Sequence, residues 1–401
     1  MKKNFHEVAN NISEDSKSWM QQFEYSAPAE IKRRRDDART IKDLARTVFG
    51  LFVKPQFKNF ETLYVFEGFR NKEYMSVFTP QSVLVIGSHQ EKAFAEAHGY
   101  GFCWSFPMVS ATHAKMYKDW DIPIVRQIKC WIKKLSLFKQ VIFFLYEDTQ
   151  PLGVFLVHLG RILKPKVTSI CIQHGYFGIT HFELRNDGQL SDINFVWDTV
   201  QAGLTGSDKN KTFEIGLPYA ATAASTGEMI VILVGTGMSG DGNHDYEKSL
   251  DIFFQIYHDL SQSSNIKIFY RPHPNEWTNK ELISKLHEKF SLLDELDKVE
   301  RLNGPKAVFI GTISSLLYEA GLSGHLVAHL ELCDTTTPVF NYDIKFGLTD
   351  IDNLVAWILK NWTDHCLNTH HPILNQNDSL NRFVSALHFA KLIDVNNVKE
   401  F

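Results

Sequence analysis

Residues suited to phosphate chemistry lie in a short run at positions 270–276, YRPHPNE. The prolines on either side of His273 favour an extended backbone, which fixes the direction of the imidazole. Arg271 and His273 can donate hydrogen bonds to a phosphate, and His273 can pass a proton to a departing one. The alternative is a structural histidine at the end of a strand. The neighbouring arginine and prolines favour the functional interpretation.

A second candidate lies at residues 311–321, GTISSLLYEAG. The pattern predicts a turn into a helix N-terminus, where backbone N–H groups and the hydroxyls of Ser314 and Ser315 can bind a phosphate. An ordinary helix cap would explain one serine but not the cluster. Glu319 could accept hydrogen bonds from ribose hydroxyls or complement the helix dipole, and the sequence favours neither.

Glycines dominate a third segment, residues 234–243, VGTGMSGDGN. Gly235 and Gly237 would let the backbone approach a ligand closely. The third glycine is misplaced for a dinucleotide fingerprint, so NAD is not predicted. Asp241 is a candidate general base or nucleophile, although an Asp-Gly turn explains it equally well.

Four further polar residues follow apolar runs and are weaker candidates. Glu147 or Asp148 could accept or donate the proton of an acceptor. His174, in a Gln-His-Gly turn, could bind an acceptor or a phosphate. Asp198 is a weaker candidate for the same role as Glu147 and Asp148. Helix caps and a buried polar turn explain these residues equally well. No spacing of His, Cys or acids predicts a metal site, and no Gly-x-Ser-x-Gly elbow predicts a serine hydrolase.

The motifs follow short apolar runs that we interpret as strands. These runs are residues 62–66, 82–87, 140–146, 167–173, 193–197, 229–234, 266–270, 307–310 and 325–330. Helical stretches, including 246–260 and 279–290, separate them. Continuous apolar strands alternating with helices indicate α/β units with parallel sheets, whose ligands sit beyond the carboxyl ends of the strands.

A Gly-, Pro- and Ala-containing connection near residue 220 divides these strands into two sets. We therefore predict a helical N-terminal extension over 1–60, a Rossmann-like domain over 61–215, and a second Rossmann-like domain with terminal helices over 216–401. The two domains are expected to face a cleft.

Composition excludes several classes of protein. The 401 residues carry a formal net charge of −4, which argues against nucleic acid as a partner. Five scattered cysteines without a Cys-x-x-Cys pair predict a reduced, cytoplasmic protein. The sequence contains no run of about 18 apolar residues, the length that a membrane-spanning helix requires.

Residues 115–139 combine basic side chains with apolar ones at helical spacing. The apolar positions are Ile122, Val125, Ile128, Trp131, Ile132 and Leu135. The pattern fits either a peripheral membrane contact at the inner membrane or an ordinary core helix whose lysines are solvated.

The order of three motifs resembles that of a known enzyme group: Asp-Gly at 241–242, Arg-Pro-His-Pro-x-Glu at 271–276 and Ser-Ser at 314–315. It resembles bacterial GT-B glycosyltransferases that use cytidine-nucleotide donors, over roughly residues 140–325. These are lipooligosaccharide sialyltransferases, capsule and O-antigen Kdo transferases and, more distantly, CDP-glycerol phosphotransferases.

The resemblance implies roles for individual residues. His273 would bind the donor phosphate and assist the departure of CMP, Ser314 and Ser315 would hold that phosphate, and Asp241 would match the catalytic acid. In configuration-retaining Kdo transferases a carboxylate can instead attack the anomeric carbon. Because Glu147 and Asp148 stand where some relatives carry acid-acid-glycine, the identity of the catalytic carboxylate stays open.

The function implied is transfer of a 2-keto acid sugar from its CMP-activated donor to a bacterial surface glycan, which is lipid-linked in many relatives. The domain over 61–215 would bind the acceptor and that over 216–401 the donor, without metal or cofactor. The Gln-His-Gly turn favours Kdo over sialic acid. The alternatives are a CDP-glycerol-type glycerophosphotransferase and an inactive nucleotide-binding subunit of a polysaccharide assembly complex. The chain could also be one module of a larger enzyme.

Overall fold

The computed structural model describes residues 4–23, 41–50, 61–70, 72–173, 188–197, 211–217, 228–235, 246–262, 265–277, 279–293, 302–312, 314–331, 345–347, 351–367 and 376–393. The chain divides into two compact units. Unit 1 comprises residues 1–174, 184–218 and 376–401, and unit 2 comprises residues 175–183 and 219–375.

Helices and strands alternate along most of the described chain. In chain order the elements are α1 (Phe5–Phe23), α2 (Ile41–Gly50), β1 (Thr62–Glu67), α3 (Lys72–Met75), β2 (Val83–Gly87), α4 (His89–His98), β3 (Gly101–Trp104), α5 (Phe106–Lys118), α6 (Asp121–Leu135), β4 (Gln140–Leu145), α7 (Pro151–Leu163), β5 (Val167–Ile172), β6 (Ile193–Val196), β7 (Thr212–Glu214), β8 (Met229–Val234), α8 (Tyr246–Ser261), β9 (Ile266–Arg271), α9 (Pro274–Trp277), α10 (Lys280–Lys289), β10 (Val308–Gly311), α11 (Ser315–Leu322), β11 (Leu326–Glu331), β12 (Lys345–Gly347), α12 (Ile351–Leu367) and α13 (Gln376–Phe389). A short 3₁₀ turn, Pro80–Ser82, precedes β2.

Each unit is built on a parallel sheet. The sheet of unit 1 has the order β3-β2-β1-β4-β5-β6-β7, and that of unit 2 has the order β12-β11-β10-β8-β9. The direction of winding reverses between β1 and β4 in unit 1 and between β8 and β10 in unit 2. In doubly wound sheets such reversals are the switch points at which ligands bind.

The predicted strands are confirmed, each within one residue at either end. Their central residues are buried, as in Val141–Leu145 of β4 and Val231–Val234 of β8, which explains their continuous apolar sequences. The sequence analysis missed β3, β7 and β12. These strands have only three or four residues, and their sequences, GFCW, TFE and KFG, are interrupted by glycine or by a charged residue, so they produce no continuous apolar run.

The structure differs from the predicted domain organisation at the C-terminus. Helix α13 belongs to unit 1 rather than to the second domain. Its Phe383 is fully buried and stacks on Tyr74 with ring centroids 4.3 Å apart. Ser379 on the same helix donates a hydrogen bond to the carbonyl of Ile215 at 2.8 Å. Phe383 also contacts Phe144 of β4 and Phe195 of β6, so the apolar side of α13 packs against unit 1 and its sheet.

The N-terminus also differs from the predicted separate extension. Ala9 and Ile12 of α1 have no exposed surface and belong to a core of unit 1. Asp15 lies 2.7 Å from the imidazole of His158 on α7. Helix α1 is therefore an integral part of unit 1.

Residues 115–139 comprise the end of α5 and all of α6, and most of the apolar side of α6 lies in the core of unit 1. Lys115 lies on α5, where its buried ammonium contacts Asp119 and Asp121 at 2.6 Å. On α6, Ile128 and Trp131 are buried in the core of unit 1. Val125 and Leu135 are buried there too, so the core interpretation accounts for most of the apolar face, whereas Ile122 is 76% exposed and a peripheral membrane contact stays a prediction. No helix in the described parts of the chain has the length and apolar character needed to span a bilayer.

We predict that Trp131→Ala lowers the free energy of unfolding by about 3–5 kcal/mol, because it removes a large buried side chain and leaves a cavity. Ile122→Ala on the same helix is the control, since Ile122 is 76% exposed and should change stability little. Chemical denaturation of both variants makes the comparison. Equal, small losses would show that α6 does not pack as described.

Candidate functional site

The carboxyl ends of three neighbouring strands bring the predicted phosphate motifs of unit 2 together. In the sheet register, Val234 on β8 pairs with Arg271 on β9 on one side and with Gly311 on β10 on the other. Neighbouring strands lie about 4.8 Å apart. The segments that follow, which include Gly235 and Ser314, therefore start side by side along one edge of unit 2.

This edge contains the switch point of unit 2. Strands β8 and β10 are adjacent, and the chain winds outward from them in opposite directions. The helix that follows β10 starts at Ser315, so its N-terminal N–H groups open at this edge. The positive end of the helix dipole favours an anion there.

The turn that carries His273 is held by the buried carboxylate of Glu276. This side chain has no exposed surface. One oxygen accepts hydrogen bonds from the hydroxyls of Tyr246 and Tyr270, the latter at 2.8 Å, and the other accepts the backbone N–H of His273. Burial and the neighbouring Glu276 charge raise the pKa of Tyr270, which keeps its hydroxyl protonated as a donor.

Glu276 is a site-forming residue that the sequence analysis did not single out. It is the third residue of α9, and its side chain returns to the backbone N–H of the residue that precedes the helix. This is half of a capping box, and the order His-Pro-x-Glu over 273–276 is its signal in the sequence. Proline at the first helical position is favourable because its missing N–H would have had no helical partner.

Gly235 is required because the end of β8 approaches the Tyr270 and Glu276 side chains closely, whether or not a ligand contacts it. A Cβ atom at this position would lie 2.7 Å from the Tyr270 hydroxyl and would also collide with the Glu276 carboxylate. The Gly235 N–H donates to the carbonyl of Arg271 at 2.9 Å. The glycine therefore lets the end of β8 rest directly on the Glu276 network.

His273 is half-buried at the end of the β9 segment. Burial, with a further contribution from the positive charge of Arg271, holds the pKa of its imidazole below the ordinary value. His273 is accordingly neutral at pH 7. An anion bound beside both side chains would offset these effects and raise the pKa, so the site can take up a proton with its ligand.

The Ser-Ser motif forms the start of α11, as predicted. Ser314 precedes the helix, and its hydroxyl accepts the N–H of Leu316 at 3.3 Å. Ser315 is the first helical residue, and both serines are half-buried. Glu319, further along the helix, is fully buried. A direct contact between Glu319 and a bound ribose would require this buried position to open.

The acids predicted in unit 1 have different environments. Asp148 is fully buried and accepts the backbone N–H groups of Gln189, Leu190 and Ser191 at 3.2, 2.8 and 2.7 Å. Burial raises its pKa, against the effect of these bonds. Asp148 thus fixes the chain at 189–191. Glu147 instead lines a pocket at the switch point of unit 1.

Gly237, Asp241, His174 and Asp198 lie outside the described residues, and their roles stay predictions. Within the residues that the structure describes, no group of three or more His, Cys, Asp or Glu side chains could hold a metal ion.

Comparison with known proteins shows the fold. No protein-family model matches the sequence, and no curated protein matches it. Three solved structures align over most of both chains. The UDP-GlcNAc 2-epimerase of Methanocaldococcus jannaschii in complex with UDP-GlcNAc and UDP has 14% sequence identity and a TM-score of 0.52, and the alignment covers 82% of this chain and 99% of that one. S. aureus MnaA with UDP has 11% identity and a TM-score of 0.53, with 83% of this chain and 98% of that one covered. The UDP-GlcNAc 2-epimerase of Neisseria meningitidis bound to UDP-GlcNAc has 12% identity and a TM-score of 0.51, with 82% of this chain and 100% of that one covered.

The predicted fold class is confirmed: the chain has two Rossmann-like parts of the GT-B type. At such low sequence identity, the likeness extends to the fold and no further.

We predict that Glu276→Gln lowers the free energy of unfolding by about 1–3 kcal/mol, because the amide cannot accept hydrogen bonds at both ends of a buried network. Glu281→Gln on α10 is the control, since Glu281 is exposed and pairs with the exposed Lys285 at 2.9 Å. Urea denaturation should show no appreciable change for Glu281→Gln. A Glu276→Gln protein as stable as the control would contradict the network described here.

Proposed function

We propose that the protein is a GT-B glycosyltransferase that moves a 2-keto acid sugar, Kdo or sialic acid, from its CMP-activated donor to a bacterial surface glycan. The observation that carries the proposal is the common edge of β8, β9 and β10 in unit 2. There Arg271 and His273 follow β9, the start of α11 follows β10, and β8 lies between these two strands next to the switch point.

The chemistry of that edge suits the phosphate of a nucleotide donor. Arg271 supplies a permanent positive charge, and the start of α11 supplies the positive end of the helix dipole together with the hydroxyls of Ser314 and Ser315. His273 is neutral before binding and gains a proton as the phosphate approaches. The protonated imidazole can then stabilise CMP as the bond to the sugar breaks.

The compared structures support nucleotide binding as a use of this fold. The epimerases of M. jannaschii and N. meningitidis hold UDP-GlcNAc, and the S. aureus protein holds UDP. Our preference for cytidine rests instead on the resemblance of the His-Pro and Ser-Ser motifs to those of CMP-sugar-dependent enzymes. The base and the sugar of the donor are therefore proposals, and binding experiments must distinguish CMP from UMP.

We predict that His273→Ala weakens CMP binding by about 1.5–3 kcal/mol, the range for a hydrogen bond to a charged group. Isothermal calorimetry measures the change. His258→Ala is the matched control, because His258 lies on α8 of the same unit, where its side chain is 65% exposed. The control should bind CMP like the unsubstituted protein. Tighter binding of UMP than of CMP would contradict the proposed donor.

We further predict that one carboxylate is indispensable for turnover, with Asp241 ahead of Glu147. Its replacement by the amide should leave CMP affinity nearly unchanged and lower the rate of CMP release from the CMP-sugar at least ~100-fold, because the group acts on the reacting bonds. Assays of Asp241→Asn and Glu147→Gln make the test. Full activity of Asp241→Asn would reduce Asp241 to a turn-forming residue and leave the role to Glu147.

Two other outcomes would favour a different function for the protein. Release of CMP from CDP-glycerol but not from CMP-Kdo or CMP-sialic acid would favour a glycerophosphotransferase. CMP binding without turnover of any of these donors would favour a nucleotide-binding subunit of a larger assembly.

A further inference from the structure

A pocket of about 470 Å³ opens at the switch point of unit 1, between the ends of β1 and β4. Carboxylates, a guanidinium, a hydroxyl and an aromatic ring line it together. The residues that matter here are Glu67, Arg70, Ser88, Glu91, Tyr146 and Glu147. This mixture suits a sugar, whose hydroxyls both donate and accept hydrogen bonds and whose ring can pack against an aromatic face.

Glu67 is held in this pocket from two sides. It is the last residue of β1, and its carboxylate accepts the Tyr146 backbone N–H, at the end of β4, at 3.1 Å. Directly after it, Gly68 adopts a φ of 68°, a conformation that favours glycine, and donates its N–H to the Ile86 carbonyl at 2.7 Å. The carboxylate therefore has a fixed position at the junction of both strands.

The charges around Glu67 make it suitable for proton transfer near neutral pH. Burial raises its pKa, and the negative charge of Glu147 adds to this effect. The Tyr146 and Glu147 backbone N–H groups and the positive charge of Arg70 oppose it, with the result that the pKa lies at about 7. A carboxyl group with this pKa can both accept and release a proton under physiological conditions.

Two nearby acids are less suited to that task. Glu91 on α4 accepts the Ser88 N–H at 2.7 Å and the Ser88 hydroxyl at 2.5 Å. Although burial acts in the opposite direction, these bonds hold the pKa of Glu91 below its ordinary value, so it stays ionised and is a weak base. Asp148 is buried and bonded to the backbone at 189–191.

We propose that this pocket binds the sugar hydroxyl that receives the transferred group, and that Glu67 is the general base that removes its proton. This role rests on the proposed transferase function and extends it to a residue that the motifs did not reveal. Asp241 or Glu147 would then act on the donor.

The acceptor oxygen forms a bond to the anomeric carbon of the donor sugar, or of a sugar–enzyme adduct, while its O–H bond breaks and the proton passes to Glu67. The bond from the anomeric carbon to its leaving oxygen breaks, and the electron pair departs with CMP or with the enzyme carboxylate. The acceptor loses a proton in both cases, so Glu67 is needed whether configuration is inverted or retained.

The test compares Glu67→Gln with Glu61→Gln, the same substitution just before the start of β1, where Glu61 is 77% exposed and pairs with Lys139. Transfer from CMP-Kdo and from CMP-sialic acid to delipidated lipopolysaccharide core oligosaccharide is followed across pH. Glu67→Gln should lower transfer at least ~100-fold and leave CMP affinity unchanged. Glu61→Gln should resemble the unsubstituted protein.

The pH profile gives a second readout. A base works in its deprotonated form, so kcat/KM for the acceptor in the unsubstituted protein should rise up to about pH 7 and then level off. The residual rate of Glu67→Gln should lack this step. Transfer by Glu67→Gln within about threefold of the Glu61→Gln rate, or persistence of the step, would overturn the role of Glu67 alone. Failure of the unsubstituted protein to bind CMP or to turn over either donor would overturn the proposed function and this role with it.

A measurement on the unsubstituted protein keeps the role testable if Glu67→Gln does not fold. NMR titration of ¹³C-labelled glutamate carboxyls should show one group that titrates near pH 7. Titration of every glutamate below about pH 5.5, close to the ordinary range, would contradict the assignment.

Discussion

A buried carboxylate, that of Glu276, is the constraint on which the described site depends. A charge without exposed surface is tolerated only when hydrogen-bond donors surround it, and here the donors are the Tyr246 and Tyr270 hydroxyls and the His273 N–H. The hydrogen bonds to this carboxylate hold together the start of α8, the end of β9 and the turn that carries His273. It also requires Gly235 at the end of β8. The cost of a buried charge thus fixes the backbone at His273.

The parallel arrangement of the strands brings further functional groups to the same edge of each sheet. Because all strands of a unit end at the same edge, motifs far apart in sequence lie near one another. In unit 2 the turn after β9 and the helix after β10 lie on either side of β8, and in unit 1 Glu67 at the end of β1 lines the same pocket as Glu147 after β4. Each unit therefore has one edge where charge and hydrogen-bond donors accumulate.

Much of the fold could be predicted from the sequence, because buried parallel strands produce continuous apolar runs and helices produce 3.6-residue periodicity. Short strands such as β7 leave no such signal. The membership of α13 in unit 1 depends on the burial of Phe383 against a sheet more than 150 residues earlier in the chain, which no local pattern encodes. The core position of α6 was undecided for the same reason, since its apolar face would look identical on a membrane.

The site was predicted where residue type alone carries the signal, as at His273 and Ser314. Glu276 was recognised as part of the His-Pro motif but given no role, and Glu67 was missed, because the importance of both arises from burial and from neighbours that the fold supplies. A glutamate at the end of an apolar run looks like an ordinary exposed end. Burial raises the pKa of Glu67, and the Glu147 charge adds to this effect because β1 and β4 are adjacent.

The most direct test of the central claim is the proton uptake that accompanies CMP binding, measured by calorimetry at pH 7 in buffers of different ionisation enthalpy. Burial and Arg271 keep the pKa of His273 low before binding, and a bound phosphate should raise it. The account predicts uptake of a substantial fraction of a proton in the unsubstituted protein, which disappears in His273→Ala. CMP binding with identical proton uptake in both proteins would contradict the placement of the donor phosphate beside His273.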